Sequence, residues 1–239
     1  MTKLPDIAMV FAAGLGTRMR PLTLTTPKPL IKVAGKALLD HVLDSLAAAG
    51  VKTAIVNIHY LGEQIIDHLQ QRIAPKIIIS DEREQLLDQG GGIAKALPLI
   101  GDAPFLMCNT DAFWIEGAGN NLQRLGAAFD PARMDAVLLV ANTTQAVGID
   151  WQGDFDLDPA GHLTRRAEGQ IAAFAYTGTG IIKPELFRGR GDVFRLAPLL
   201  FEAAERQRLF GVRLDGLWLH VGAPEIIAEA ERAIAHSNR

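Results

Sequence analysis

A single cysteine, Cys108, stands in the 239 residues, so no internal disulfide can form and no cysteine-rich metal site can be built. It lies inside the apolar run "PFLMCNT", where a buried core thiol is expected. No apolar run reaches the ~20 residues that a bilayer-spanning helix needs. Lys3 followed by "IAMVFAA" is too short for a leader and lacks a clean small-residue cleavage site, so a cytoplasmic protein without a membrane partner is expected. Basic excess is also missing. The 24 Lys and Arg residues against 27 Asp and Glu leave a net charge of −3, which argues against a nucleic-acid partner. Linkers, low-complexity tracts and internal repeats are absent, and residues 1–239 read as one domain.

What is present is an alternation of strand and helix signals. Ile7 to Phe11, Thr53 to Ile58, Lys76 to Ile79, Pro104 to Cys108 and Ala136 to Val140 are short, nearly continuous apolar runs, as in strands buried on both faces. "LLDHVLDSLAAAG" places Leu38, Leu39, Val42, Leu43, Leu46 and Ala49 at helical spacing, with Gly50 where a C-terminal glycine belongs. Further helices are predicted over "GEQIIDHLQQRI" and "NNLQRLGAAF", with His41 and His68 on helix surfaces. The fold class is α/β: a Rossmann-like, doubly wound, mostly parallel mixed sheet. Later, "GIDWQGDFDLDPAGHLTRR" reads as an antiparallel hairpin and "IAAFAYTGTGII" as a strand. A helix is predicted from about Leu196, a strand pair around "VRLDGLWLHVG", and a closing helix with Pro224 at its first position.

The stretch "FAAGLGTRMRPLTLTTPKPL" follows the first strand and therefore sits at the carboxyl edge of the sheet, where open α/β folds bind ligands. Gly14 and Gly16 let the backbone turn tightly and bring its N–H groups to an anion. Arg18 and Arg20 offer donors shaped for phosphate, and Lys28 is a point charge between Pro27 and Pro29, which restrict its backbone. No Gly-Lys-Ser/Thr closes the loop as a Walker A would. "GLGTRM" also lacks the third glycine of a dinucleotide fingerprint, which disfavours an oxidoreductase. Farther on, Asp111 ends a buried strand, where a carboxylate is costly unless it is paired or binds metal; a turn or capping aspartate is the plainer alternative. Asn109 stands two residues earlier on the same face.

The segment "AAGLGTRMRPLTLTTPKPL" closely resembles the signature of the sugar-1-phosphate nucleotidylyltransferases. "DQGGGIAKALPLIGDAPFLMCNTD", "GDFDLD", "TGTGIIKPELF" and "LWLHVGAPE" resemble further motifs of that family along almost the whole chain. The resemblance implies an enzyme that joins a nucleoside monophosphate, from an NTP, to a sugar 1-phosphate and releases pyrophosphate. It implies that Arg18 binds the outgoing phosphates, Lys28 the α-phosphate, and Ala12, Ala13, Gly14, Leu15, Gly16 and Thr17 the triphosphate. Gly90 and Gly91 would let the base lie on bare backbone, with Gln89 and Asn109 beside it, although "GGG" could equally cap the helix that follows. Gly153, Asp154, Thr177 and Gly178 fall in the sugar-binding half, about 113–239, and the nucleotide half is about 1–112. Asp111 is implied as the metal ligand, with Mg2+ expected and Mn2+ the alternative. The length with "GGGI", "RLAPLL" and "GDF" is most similar to the bacterial N-acetylmuramate 1-phosphate uridylyltransferases, which implies UTP and cell-wall sugar recycling. The mannose- and heptose-1-phosphate guanylyltransferases, and a non-catalytic nucleotide-sensing domain, remain alternatives.

Three positions depart from the family pattern. Thr110 precedes Asp111 where a glycine is usual, a change expected to affect only local backbone conformation. No lysine occupies the usual sugar-phosphate position, and Arg165 and Arg166 are the candidates there. His220 stands where a second carboxylate ligand is common. Period-two alternation puts Leu217, Leu219 and Val221 on one face and Trp218 and His220 on the other. His220 is expected to bind the metal, to hold a water or phosphate beside it, or simply to pack against Trp218. Trp114, Trp151 and Trp218 could stack on a sugar or fill core and rim. "RGRGDVFRL" reads as a solvated loop. No region beyond the last helix offers an assembly surface, so a monomer or dimer is expected.

Overall fold

The computed structural model describes residues 3–237. In chain order the elements are β1 (Ile7–Phe11), β2 (Lys32–Val33), β3 (Lys36–Ala37), α1 (Leu38–Ala49), β4 (Thr53–Ile58), α2 (Gly62–Leu69) and β5 (Lys76–Asp81). Then come α3 (Asp88–Ile100), β6 (Phe105–Asn109), β7 (Ala112–Glu116), α4 (Asn121–Ala128), β8 (Ala136–Asn142), β9 (Phe155–Leu157) and β10 (Leu163–Arg165). The chain closes with β11 (Phe174–Ile182), α5 (Ala197–Glu205), β12 (Leu209–Arg213), β13 (Gly216–His220) and α6 (Pro224–Ser237).

Nine strands form the central sheet, in the order β10-β9-β11-β6-β1-β4-β5, with β8 on the other edge of β11 and β12 beyond it. The ladders β6-β1-β4-β5 and β8-β12 are parallel, and β11 runs against β6, β8 and β9. The sheet is therefore mixed, and every strand in it but β10 and β11 points the same way. Along β1, Ala8 and Val10 face the layer of α1, α2 and α4, while Met9 and Phe11 face the layer of α3 and α5. Double coverage explains why β1, β4 and β6 read as continuous apolar runs rather than alternating ones. Each fully buried leucine or isoleucine in these layers, such as Leu43 or Ile55, contributes about 1.5–3 kcal/mol. Gly50 ends α1 in the left-handed conformation at φ 92°, as its position in the sequence requires.

Two sequence expectations are corrected. β12 and β13 are not a pair: β12 extends the central sheet beside β8, while β13 leaves it to pair antiparallel with β7 in a small second sheet, Trp218 opposite Trp114. His41 is not a surface residue either. Its ring stacks on Phe113 at 4.1 Å and 7°, and Nε2 reaches the Val33 carbonyl at 3.0 Å. His68 does lie on the surface, bonded to Asp40 at 2.9 Å.

Burial pushes the His41 pKa down, more than the Val33 carbonyl and nearby Asp44 and Asp40 can restore. The unfolded chain then binds the proton first. The contribution to stability is complete above the unfolded value of about 6.5 and is lost as pH falls through the lower folded value. His41→Phe should therefore flatten the loss of urea midpoint as pH falls below about 6.5, relative to the wild type. An unchanged slope would assign that loss to other groups.

Candidate active site

The β1 strand hands over to the signature loop at Ala12. Gly16 adopts φ 63°, and a Cβ there would come within 2.9 Å of Thr23 and 3.0 Å of Lys28, so only glycine fits the turn. The loop continues through a 3-10 turn at Thr17–Met19 that leaves Arg18 exposed. Pro27, at φ −63° and ψ 143°, leads into a further such turn, Lys28–Leu30, which fixes the stem of Lys28. The Lys28 ammonium donates to Asp111 Oδ2 at 3.0 Å, with the two side chains only 13% and 23% exposed.

Asp111 sits between β6 and β7, so its carboxylate leaves the sheet at the same edge as the loop. Its backbone carbonyl accepts from Val221 N–H at 2.8 Å, which ties the end of β13 to it. Burial raises the Asp111 pKa, but the neighbouring His220 ring and the Lys28 ammonium outweigh it and hold the carboxyl well below the usual range. His220 Nε2 lies 3.7 Å from Oδ2. Nδ1 is 3.1 Å from the Gly148 carbonyl, and since a carbonyl only accepts, Nδ1 carries the proton and fixes the ring. The Asp111 Oδ1 atom is buried with no hydrogen-bond partner.

That orphaned oxygen tests the metal expectation. A hard, desolvated carboxylate oxygen without a partner fits Mg2+ or Mn2+. No group of three or more His, Cys, Asp and Glu side chains able to hold a cation occurs among the described residues. The protein would thus offer one carboxylate, and phosphate oxygens and water would complete the shell.

Two clefts meet at this carboxylate. The first, of about 310 Å³, is lined by Ala12, Ala13, Gly14, Lys28, Gln89 and Asp111, among others. The second, of about 400 Å³, is lined by Arg18, Trp151, Tyr176, Thr177, Gly178 and His220, among others. Asn109 and Asp111 belong to both. Asn109 accepts from Gln89 Nε2 at 2.8 Å. Gly178, at φ 82° in the β11 bulge, approaches Asn109 so closely that a Cβ would meet its side chain at 2.6 Å. Trp151 stands edge-on to Trp218 and His220 in the second cleft, and Trp218 stacks on His220 at 5.5 Å.

Other candidates are placed differently. Gly90 and Gly91 lie within the first turn of α3, with their bare faces turned to the 191–194 loop and away from the first cleft. A Cβ on Gly90 would meet the Phe194 ring at 2.4 Å, and one on Gly91 the Asp192 carbonyl at 2.1 Å. "RGRGDVFRL" is the solvated loop expected, exposed over 188–193, and it is anchored at Phe194, which accepts from Gly91 N–H and donates to the Leu87 carbonyl just before α3. Gly153, Asp154, Arg165 and Arg166 line a third cleft, which shares only Tyr176 with the second. Arg165 lies over the Phe201 ring at 4.0 Å, and Arg166 donates to the carbonyls of Gly153 and Gln170. Leu15 and Thr17 are exposed on the loop and line neither of the first two clefts. Asp154 reaches the second cleft indirectly, accepting from Tyr176 N–H and Trp151 Nε1. Asn57 and Glu82, buried in the first cleft, went unseen in the sequence because nothing local marks them. Cys108 is the expected core thiol, pushed by burial up to about 12.

A glycine loop and a lysine–carboxylate pair set between two clefts define a nucleotide-handling transferase. Residues 7–142 match the nucleotidyl transferase family. An N-acetylmuramate alpha-1-phosphate uridylyltransferase of Caulobacter vibrioides is 47% identical over 99% of this chain and 100% of its own length. One of the same description from Neisseria meningitidis is 39% identical over 94% of this chain and 96% of its own length. Among solved structures, an apo UDP-glucose pyrophosphorylase superposes with a TM-score of 0.79 over 100% of both chains; at 18% identity this is a likeness of fold. The chain belongs to the nucleotidyl transferase family, as one of its sugar-1-phosphate nucleotidylyltransferases. No described helix is long and apolar enough to cross a membrane.

Proposed function

We propose that this chain transfers a uridylyl group from UTP to N-acetylmuramate 1-phosphate, in the cytoplasm, as a step of cell-wall sugar recycling. The identity to relatives bearing that description supports the choice of base and sugar. The observation that carries the reading is the junction at Asp111, where the two clefts share a carboxylate already paired with Lys28. The first cleft is lined wholly from residues 11–111, and the second joins Arg18 to residues between 109 and 220, which supports a nucleotide half ending near 112 and a sugar half after it, within one domain.

The acceptor phosphate is already an anion, so no general base is needed. Its oxygen attacks the α-phosphorus of UTP, the bond to the β-phosphate oxygen breaks, and pyrophosphate leaves with both electrons. Lys28 takes up charge on the α-phosphoryl oxygens, the loop amides hold the triphosphate, and Arg18 binds the departing phosphates. Asp111 would hold the divalent ion, whose bound charge neutralises the phosphates. His220 would hold a water or a phosphate oxygen beside the ion. The proposal is tested by pyrophosphate release from UTP, GTP, CTP and ATP, each offered with N-acetylmuramate, N-acetylglucosamine, glucose and mannose 1-phosphates. UTP with N-acetylmuramate 1-phosphate should stand well above all other pairs. A GTP–mannose 1-phosphate optimum would make the chain a guanylyltransferase, and no release with any pair would leave a nucleotide-sensing domain.

The His220 role has its own test. His220→Ala should be milder than any change at Asp111, and His220→Asp should keep or improve turnover with Mg2+, because a carboxylate suits that ion better than imidazole. A dead His220→Asp in Mg2+, together with a wild type active only in Mn2+, would make His220 a direct ligand.

A further inference from the structure

Phe11 is the last residue of β1 in register, opposite Asn57 on β4 and opposite Asn109 on β6. At the next residue the chain must leave the sheet, and its N–H loses the ladder partner it would otherwise have. The Asn57 side chain supplies one: Ala12 N–H donates to Asn57 Oδ1 at 2.7 Å. Since a backbone N–H can only donate, Oδ1 must face it, and Nδ2 is left to donate to Glu82 Oε1 at 2.8 Å. Asn57 is 3% and Glu82 1% exposed, so neither has much surface to offer a ligand. On the other side of β1, Thr110 Oγ1 donates to the Phe11 carbonyl at 2.7 Å, which makes Thr110 more than a change of local backbone.

The third glycine of "GGG" belongs to the same arrangement. A Cβ on Gly92 would meet Glu82 Oε1 at 2.7 Å and Asn57 Nδ2 at 3.1 Å. Any side chain there would press on the bond between them. Burial raises the Glu82 pKa, as expected for a carboxyl kept from water.

We propose that Asn57 and Glu82 are positioning residues: Glu82 orients the Asn57 amide, which holds the Ala12 N–H and thereby sets where the phosphate-binding loop leaves the sheet, with Gly92 keeping the space clear. The proposal rests on the function above only through the choice of nucleotide used to probe it.

The test reverses the direction of one hydrogen bond. Asn57→Asp can still accept from Ala12, but its second oxygen faces Glu82, and two buried carboxylates repel. Adding Glu82→Gln restores a donor opposite the introduced carboxylate, so the double variant should hold Ala12 again. Two readouts are taken: amide exchange at Ala12 by NMR without ligand, and binding of a UTP analogue carrying an imido bridge between the α and β phosphates. Repulsion from Glu82 should draw the introduced carboxylate off the Ala12 N–H, so Asn57→Asp should speed exchange and weaken binding, each by about tenfold or more, the range for a buried donor left unsatisfied. The double variant should recover both. Unchanged Ala12 protection in the single variant, or a double variant no better than the single, overturns the proposal. If Asn57→Asp does not fold, Gly92→Ala carries the test, since it keeps every polar group and should move both readouts the same way; no movement refutes the relay. If the analogue fails to bind even the wild type, the uridylyl-transfer reading falls, and Ala12 exchange alone decides on the relay.

Discussion

Asp111→Asn should lower turnover by about a thousandfold or more, in Mg2+ and Mn2+ alike, the upper range for removing a pre-organised electrostatic group. The amide keeps the size and one acceptor oxygen but loses the charge. That charge faces Lys28 and His220, and it leaves Oδ1 buried and unpartnered. The substitution therefore removes the anion a divalent ion would seek, and it leaves the Lys28 ammonium partly buried without its counter-charge. Steady-state pyrophosphate release is the measurement, with Mn2+ binding followed by paramagnetic resonance on the free protein. Retention of a tenth of the activity would show that the phosphates recruit the ion without help from Asp111.

The second large effect is expected at Lys28. Lys28→Ala should reduce kcat about a hundredfold, near 2.7 kcal/mol of transition-state stabilisation, while the KM for the nucleotide changes far less. Lys28 is only 13% exposed and sits on a stem fixed by Pro27 and the turn it opens, so its ammonium needs little rearrangement to meet charge that grows at the α-phosphorus. Its resting partner is Asp111, so the variant also leaves that carboxylate with His220 alone. Near-normal kcat with a raised KM would restrict Lys28 to binding the ground state.

How much of this could be read from the sequence depended on the range of the forces involved. β1 and β4 fall on the residues their apolar runs mark, and α1 stops at the glycine that ends its periodicity, because each is decided by neighbours along the chain. Alternation in "GLWLHVG" correctly sorts Leu219 and Val221 from Trp218. Partner choice is another matter. β12 and β13 are separated by Leu214 and Asp215, which suggested a hairpin, yet the edges of β8 and β7 capture them separately. The roles of Gly90 and Gly91 depend on Asp192 and Phe194, far along the chain, and no local pattern announces that contact. Within the site, the family signature pointed to Lys28 and Asp111, and the structure brings them together. Arg165 and Arg166, chosen by their place in the sequence, are instead engaged with Phe201 and with the loop around Gly153.

The pairing of β7 with β13 has a consequence for how the protein is made. Asp111 leaves the ribosome long before His220, which trails it by 109 residues. Until β13 is synthesised, β7 has no strand beside it, and the Asp111 carbonyl lacks the Val221 N–H that holds it. A nascent chain can lay down the β6-β1-β4-β5 ladders and the glycine loop early, yet it carries an unfinished centre until translation is nearly done. Premature termination or a clip before Gly216 should leave a chain with most of the sheet's strands and no working site, so that activity reports completion of the polypeptide.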